Sequence, residues 1–260
     1  MSDRQQTQPV SSRPQDLPVK ADLARLRVRY HKDSRLAFLG HLDLISTVER
    51  CVRRSGLPFS IGNGFARRMR IQFSSALPTG TSSACEYFDV RLLEAVDPAE
   101  ALERLRAATP PALAPYEAGY VPGRLPALEA WLDHAAWEAT LLGEGLDAGT
   151  ILDGIERVRA GGVITYLRGE KEKTVDVAAT LAGVSALGGE VGSVSLRIET
   201  RSVASASLRP QVLLDAALAR ADLPRPQLVR IRRVGQWHME DGRLVEPLGP
   251  FGANAPAPLS

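Results

Sequence analysis

Apolar residues recur along this chain in two rhythms. Over residues 26–30, Leu26, Val28 and Tyr30 alternate with Arg27 and Arg29, the period of a half-buried strand. Between residues 40 and 56 the spacing lengthens, and Leu44, Ile45, Val48, Cys51 and Val52 fall on one helical face. Gly56 stops that helix and Pro58 prevents its restart. A Gly- and Arg-rich connection over 61–70 runs into a short strand at 71–74, and 78–80 is a turn. Alternation returns at 86–92, where Phe88, Val90 and Leu92 oppose Tyr87, Asp89 and Arg91. Asp97-Pro98 opens a second helix that ends before Thr109-Pro110-Pro111, since Asp caps the first turn and Pro presets its φ. A strand at 116–121 closes the series.

The order is strand, helix, strand, strand, helix, strand, and the second half repeats it. Its elements are a strand at 136–142, a helix at 148–160 closed by Gly161-Gly162, and strands at 163–167 and 191–200 separated by a long insertion of small residues. A helix at 211–221, opened by Arg209-Pro210, and a strand at 228–234 follow. The expected fold is α+β: two tandem ferredoxin-like (split βαβ) domains with antiparallel sheets, at 23–121 and 131–236. Residues 122–130 (Pro122, Gly123, Pro126) read as the linker, 1–22 as a disordered leader and 247–260 as a flexible tail. In such a fold the helices cover one sheet face. The pattern then puts Arg25, Arg27 and Arg29 on the uncovered face, with Tyr87 and Arg91 beside them.

Composition narrows the class. With 44% apolar and 24% charged residues in 260, the chain is globular and long enough for one or two domains. The net charge of +2 hides an asymmetry: residues 25–72 hold 11 basic and 3 acidic groups, a local +8, whereas 73–260 sum to −6. No apolar run approaches the ~20 residues of a membrane span, and the first residues lack the apolar core of a secretory signal. Cys51 and Cys85 make neither a disulfide framework nor a four-cysteine zinc site, nor the three cysteines of a radical S-adenosylmethionine (SAM) cluster. The phosphate-binding loop, the dinucleotide fingerprint and the nucleophile elbow are missing as well. The expectation is a cytoplasmic protein with no cofactor and no metal site.

The basic block holds the candidate chemistry. Glycines in 61–70 let a backbone approach closely, and guanidinium groups clamp phosphates with two parallel hydrogen bonds. Arg27, Arg29, Arg50, Arg54, Arg67, Arg68 and Arg70 are therefore the candidate phosphate-binding residues, with Phe65 and Tyr87 as candidate stacking partners for bases. Each has a plainer alternative: Phe65 as a core anchor for its loop, the loop arginines as a solvated turn. Asp43, Thr47, Arg50 and Arg54 form one polar stripe, which also complements the helix dipole. His41 and Asp43 are the candidate catalytic pair, although they point to different sides of the helix and no second histidine stands at ligand spacing. Arg230, Arg232 and Arg233 either extend the basic surface or solubilise a strand, the latter reading suiting Arg233 best. Trp131, Trp137 and Trp237 read as packing residues.

The run from Phe38-Leu39-Gly40-His41-Leu42-Asp43-Leu44 through Glu49-Arg50 and Arg53-Arg54-Ser55-Gly56-Leu57-Pro58 carries a family signature. Gly64-Phe65, Arg70-Ile71, Leu77-Pro78-Thr79-Gly80 and Glu86-Tyr87 with Asp89 extend it, and Thr174-Val175-Asp176-Val177 and Leu208-Arg209-Pro210 match more weakly. Together these motifs resemble the radical SAM-linked (radical SAM-associated) protein family, over roughly residues 23–234. That family is a domain of uncharacterised function, found alone or attached to B12-binding-type radical SAM proteins. One stretch departs from it: Ala66-Arg67-Arg68-Met69 replaces an Asn-Pro-His-Pro-like turn. The resemblance implies a link to radical SAM proteins or to RNA metabolism, and no reaction.

These readings lead to an accessory protein for RNA binding, processing or modification that grips the phosphate backbone, with RNA as partner and no membrane. Two alternatives stand beside it. One is an interaction module partnering a radical SAM enzyme; the other is a small enzyme acting on a phosphorylated substrate through His41 and Asp43. A non-catalytic role is the expectation.

Overall fold

The computed structural model describes residues 23–62, 66–189, 192–204 and 206–251. In chain order the N-terminal half comprises β1 (Ala24–Lys32), α1 (His41–Arg54), β2 (Ile71–Phe73), β3 (Thr81–Leu92), α2 (Pro98–Ala108) and β4 (Pro115–Tyr120). A helical turn α3 (Leu128–Trp131) leads to β5 (His134–Leu142), α4 (Ala148–Ala160), β6 (Val163–Arg168) and β7 (Lys171–Asp176). The short α5 (Val177–Thr180), β8 (Leu181–Gly188), β9 (Ser193–Arg201), α6 (Pro210–Arg220), β10 (Leu228–Glu240) and β11 (Arg243–Val245) complete the fold.

The protein is α+β, built on one large, mostly antiparallel sheet. Its main path runs β4-β1-β3-β10-β5-β9-β8, with β2 on β3 and β11 on β10. The N-terminal half therefore has the order β4-β1-β3-β2, and the C-terminal half β10-β5-β9-β8. Among the described residues the halves join through one parallel pairing, Ile231 with Thr81 to Arg233 with Ser83. β3 is long enough to serve two neighbours on one edge: β10 at its start and β2 opposite Phe88–Val90.

Helices cover one face. α1 brings Leu44, Val48 and Val52 down, and α2 brings Leu105, onto Leu26, Val28, Phe88 and Val90. In the other half Ile151 and Ile155 of α4, with Leu213 and Leu214 of α6, pack on Ala139 and Leu196. Gly154 lets α4 and α6 close on each other, since a Cβ there would sit 2.5 Å from the Ala217 carbonyl oxygen. Asp97 and Asp147 accept backbone N–H bonds at the starts of α2 and α4, as the capping rule requires. Among the described residues no helix is long and apolar enough to cross a membrane.

Four expectations need correction. Residues 122–130 lie across the sheet face that was expected to be open, and Leu128 is fully buried there with Trp131 and Leu132. Residues 163–167 do not join the main sheet. They pair with β7 in a separate hairpin, whose tight turn is supported by Gly169 at φ 64°. The sheet position falls to β8, drawn from the insertion, which pairs with β9 from Leu181 to Gly188. At the C-terminus the closing strand runs on to Glu240, and Phe251 packs against Trp131. The leader at 1–22, and residues 252–260 of the tail, lie outside the described residues.

Candidate nucleic-acid interface

The register of β1 on β3 divides the basic block. Arg25 stands opposite Arg91 and Arg27 opposite Asp89, which brings one carboxylate between two guanidinium groups. Asp89 accepts from Arg25 Nε at 2.7 Å, from Arg27 Nε at 2.7 Å and from Arg27 Nη2 at 3.0 Å. Backbone carbonyls take further donors, and Arg25 Nη2 also reaches the Gln72 side chain at 3.4 Å. Arg25 donates to Leu125 and Pro126, Arg27 to Pro247, and Arg91 to Leu23 and Gly123. Arg27 also lies 5.0 Å above the Trp131 ring. Arg25, Arg27 and Arg91 are 2%, 0% and 5% exposed. Burial, then the charges of Arg25 and Arg70, outweigh Asp89 and push the Arg91 guanidinium down to about 10. Arg27 thus has no surface to offer a phosphate. The face was expected to be open because its strand alternates; residues 122–132 and 245–251 close it.

Three further residues change role. Arg29, next along β1, pairs with Glu117 at 3.2 Å and faces the rings of Tyr87 and Tyr116. Burial opposes its charge, but Tyr87, Tyr116 and Glu117 outweigh burial and its pKa lies above the ordinary guanidinium value. Tyr87 is 1% exposed, so it presents no ring for a base to stack on. Arg233, expected as a solubilising charge, is 1% exposed. It pairs with Glu86 at 3.0 Å, donates to Ser75 and Gln236, and lies over Trp137, bolting the halves together beside their parallel seam.

The other arginines are outside. α1 turns Leu44, Val48, Cys51 and Val52 inward, which leaves Arg50, Arg53 and Arg54 on its exposed side. Arg50 reaches the Thr47 hydroxyl at 3.3 Å, and Arg53 lies 5.4 Å over the Phe59 ring. That contact ties the end of α1 to a second strip of arginines. Phe59 bridges to Leu92, Ile61 bridges to Met69, and Gly62 N–H donates to the Arg68 carbonyl, so the chain doubles back and shows Arg67 and Arg68 to solvent. Arg67 holds φ 42°, a left-handed conformation uncommon outside glycine. Arg70 is half-buried, toward Arg91. Among the described residues, Arg50, Arg53, Arg54, Arg67 and Arg68 form no ion pair. Phe65 lies outside the described residues.

The structure does not bring the proposed catalytic pair together. His41 meets Phe73 edge to face at 6.4 Å, and among the described residues it makes no hydrogen bond to a carboxylate. A cluster missed in the sequence lies in the C-terminal half, where the start of β5 meets the end of β10. His134 Nδ1 is 2.8 Å from Asp133 Oδ1 and His238 Nδ1 is 3.1 Å from Asp133 Oδ2, while Met239 N–H donates to the same carboxylate. The adjacent Asp-His pair was legible; His238 fell beyond the expected end of its strand. Among the described residues no group of three or more His, Cys, Asp or Glu is placed to hold a metal ion.

Fold and surface together define an α+β protein with a large, mostly antiparallel sheet and an arginine cluster split between interior and exterior. Residues 25–210 match the family described as "Uncharacterized protein conserved in bacteria (DUF2344)", and the chain belongs to it. That description names no radical SAM partner. No curated protein matches the chain. Among solved structures it is similar to a chain of a Cbf5-Nop10-Gar1 complex, at 10% identity and TM-score 0.44, over 88% of this chain and 54% of that one. It is also similar to a chain of an H/ACA RNP bound to a substrate RNA containing 2'-deoxyuridine, at 11% identity and TM-score 0.43, over 85% and 50%. The chain thus spans about half the length of these matches.

Proposed function

We propose that this protein is an RNA-binding accessory protein that holds the phosphate backbone on the outer side of α1 and the adjoining doubled-back segment. One observation carries the reading: Arg50, Arg53, Arg54, Arg67 and Arg68 are exposed on linked elements, and none is ion-paired among the described residues. A patch meant only for solubility mixes both signs of charge. Unpaired guanidinium groups suit a phosphate backbone, which supplies evenly spaced anions and releases counterions on binding. The two halves, each in the order of a split βαβ unit, are read as ferredoxin-like domains fused into one sheet, with the patch on the first.

The test is an anisotropy titration with single-stranded and hairpin RNA across a salt series. Five phosphate contacts predict a slope of log K on log salt between about −3.5 and −4.5. The double variant Arg67→Glu, Arg68→Glu is expected to weaken binding and flatten the slope. Absence of binding at low salt, or an unchanged slope in the variant, would overturn the proposal.

A further inference from the structure

The two halves leave a notch where β3 passes from one neighbour to the other. The chain leaving β2, the Asp133–Ala135 segment and the residues before α6 enclose a cavity of about 270 Å³ there. A second cavity, of about 320 Å³, adjoins it and is lined by Tyr166 and Lys173. Arg168, Ser207 and Arg209 border both, so the two form one groove.

The hairpin over this groove sorts its charges by face. Tyr166 pairs with Lys173 and Arg168 with Lys171, and strand alternation puts these four on the same face as Ile164 and Val175. The other face holds Glu172 and Asp176. Ile164 and Val175 are buried in the C-terminal core, which turns the basic face inward over the groove. Arg209 stands on the opposite wall, as the N-cap residue immediately before α6. That helix has no side-chain cap and no acidic residue in its first turn. Among the described residues the side chains of Arg168, Lys173, Arg209 and Ser207 have no hydrogen-bond or ion-pair partner. Two carboxylates also line the inner cavity, Glu129 and Asp133, and Asp133 is occupied by His134 and His238.

We infer that this groove binds the phosphate group of a nucleotide. Arg168, Lys173 and Arg209 clamp the phosphate from both walls, and the rest of the ligand extends into the inner cavity toward His134 and Trp137. Three unpaired cations around one concavity favour a group that accepts from several donors at once, as phosphate does. The site shares no residue with the α1 surface and stands without it. The same phosphate could belong to a free mononucleotide or to the 5′ end of an RNA.

Calorimetric titration of the full chain separates these sources, using inorganic phosphate, uridine and adenosine monophosphates, and a short oligoribonucleotide with or without a 5′-phosphate. The expected result is phosphate-dependent binding of the mononucleotides, of the phosphorylated oligonucleotide, or of both. Arg168→Gln with Arg209→Gln is expected to weaken it about tenfold or more, and Arg67→Glu with Arg68→Glu to leave mononucleotide binding unchanged. Lys173→Gln, on an exposed strand and away from α6, repeats the test should Arg209→Gln disturb the helix start. Equal binding of phosphorylated and unphosphorylated ligands, no binding of either, or wild-type affinity in the groove variants would overturn the inference.

Discussion

Replacing Asp89 by Asn tests the division of the basic block most directly. The carboxylate is 3% exposed and accepts from both Arg25 and Arg27, with Arg91 paired across from Arg25. Asn keeps the shape, removes the only carboxylate in that set of four side chains, and leaves three buried cations. Removing one partner of a buried ion pair costs about 3–5 kcal/mol. The carbonyls that also receive these guanidinium groups remain in place, which argues for the lower half of that range. The like charges of Arg25 and Arg91 argue for the upper half. About 4 kcal/mol is a large part of the roughly 5–15 kcal/mol that holds a protein folded. In urea unfolding followed by circular dichroism, with a slope near 2 kcal/mol/M, the midpoint should fall by about 2 M at constant slope. Arg54→Gln, on the exposed side of α1, should stay within about 0.5 kcal/mol of wild type. An Asp89→Asn protein within about 1 kcal/mol of wild type would refute the reasoning, since the buried arginines would then not depend on that carboxylate.

Three further outcomes are expected. Gly154→Ala should destabilise by about 1–3 kcal/mol despite the better helix propensity of Ala, because its methyl meets the Ala217 carbonyl; thermal unfolding measures this. Stability should decline as pH rises from 9 toward 12. Burial holds Cys85 at about 12 against an ordinary 9.0 and Tyr116 at about 12 against 10.0, so the unfolded chain releases protons that the native state keeps. Tyr30 and Tyr87 are raised too; the lowered Arg91 and Lys32 act in the opposite sense but are fewer, so a flat urea-midpoint profile across that window would count against this reading. Asp133→Asn should cost about 1–3 kcal/mol, because His134, His238 and the Met239 N–H lose a charged acceptor, and calorimetric unfolding at neutral pH tests it.

Local pattern made much of the fold legible. α1 follows from its 3.6-residue periodicity and the Gly56 stop, α2 and α6 from Pro at their starts, and α4 from Gly161-Gly162 at its end, and the order within each half follows from element type. What escaped depends on contacts distant in sequence. An Arg–apolar alternation reads as one wet and one dry face, and nothing local to residues 25–30 reports that 122–132 will return over the wet one. β8 was hidden because its Ala, Gly and Ser residues carry no strand propensity; its partner β9 makes it a strand. The site divides the same way. Arg50, Arg54, Arg67 and Arg68 were legible as surface groups, since the apolar residues beside them fix which way they point. Arg27 and Arg233 were not, because their carboxylate partners sit 62 and 147 residues away.

The parallel seam has a consequence for how the protein is made. β10 lies between β3 and β5, yet it is the last strand on the sheet's main path to leave the ribosome. Until residues 228–240 emerge, each half keeps an unpaired edge, and Arg233 is not there to meet Glu86. Closing the sheet brings together residues such as Thr81 and Ile231, 150 positions apart. Such a closure is slow compared with folding within either half. The nascent halves therefore pass through a stage with two open edges side by side. A chain released before β10 would carry those edges into solution, where a second such chain could pair with them.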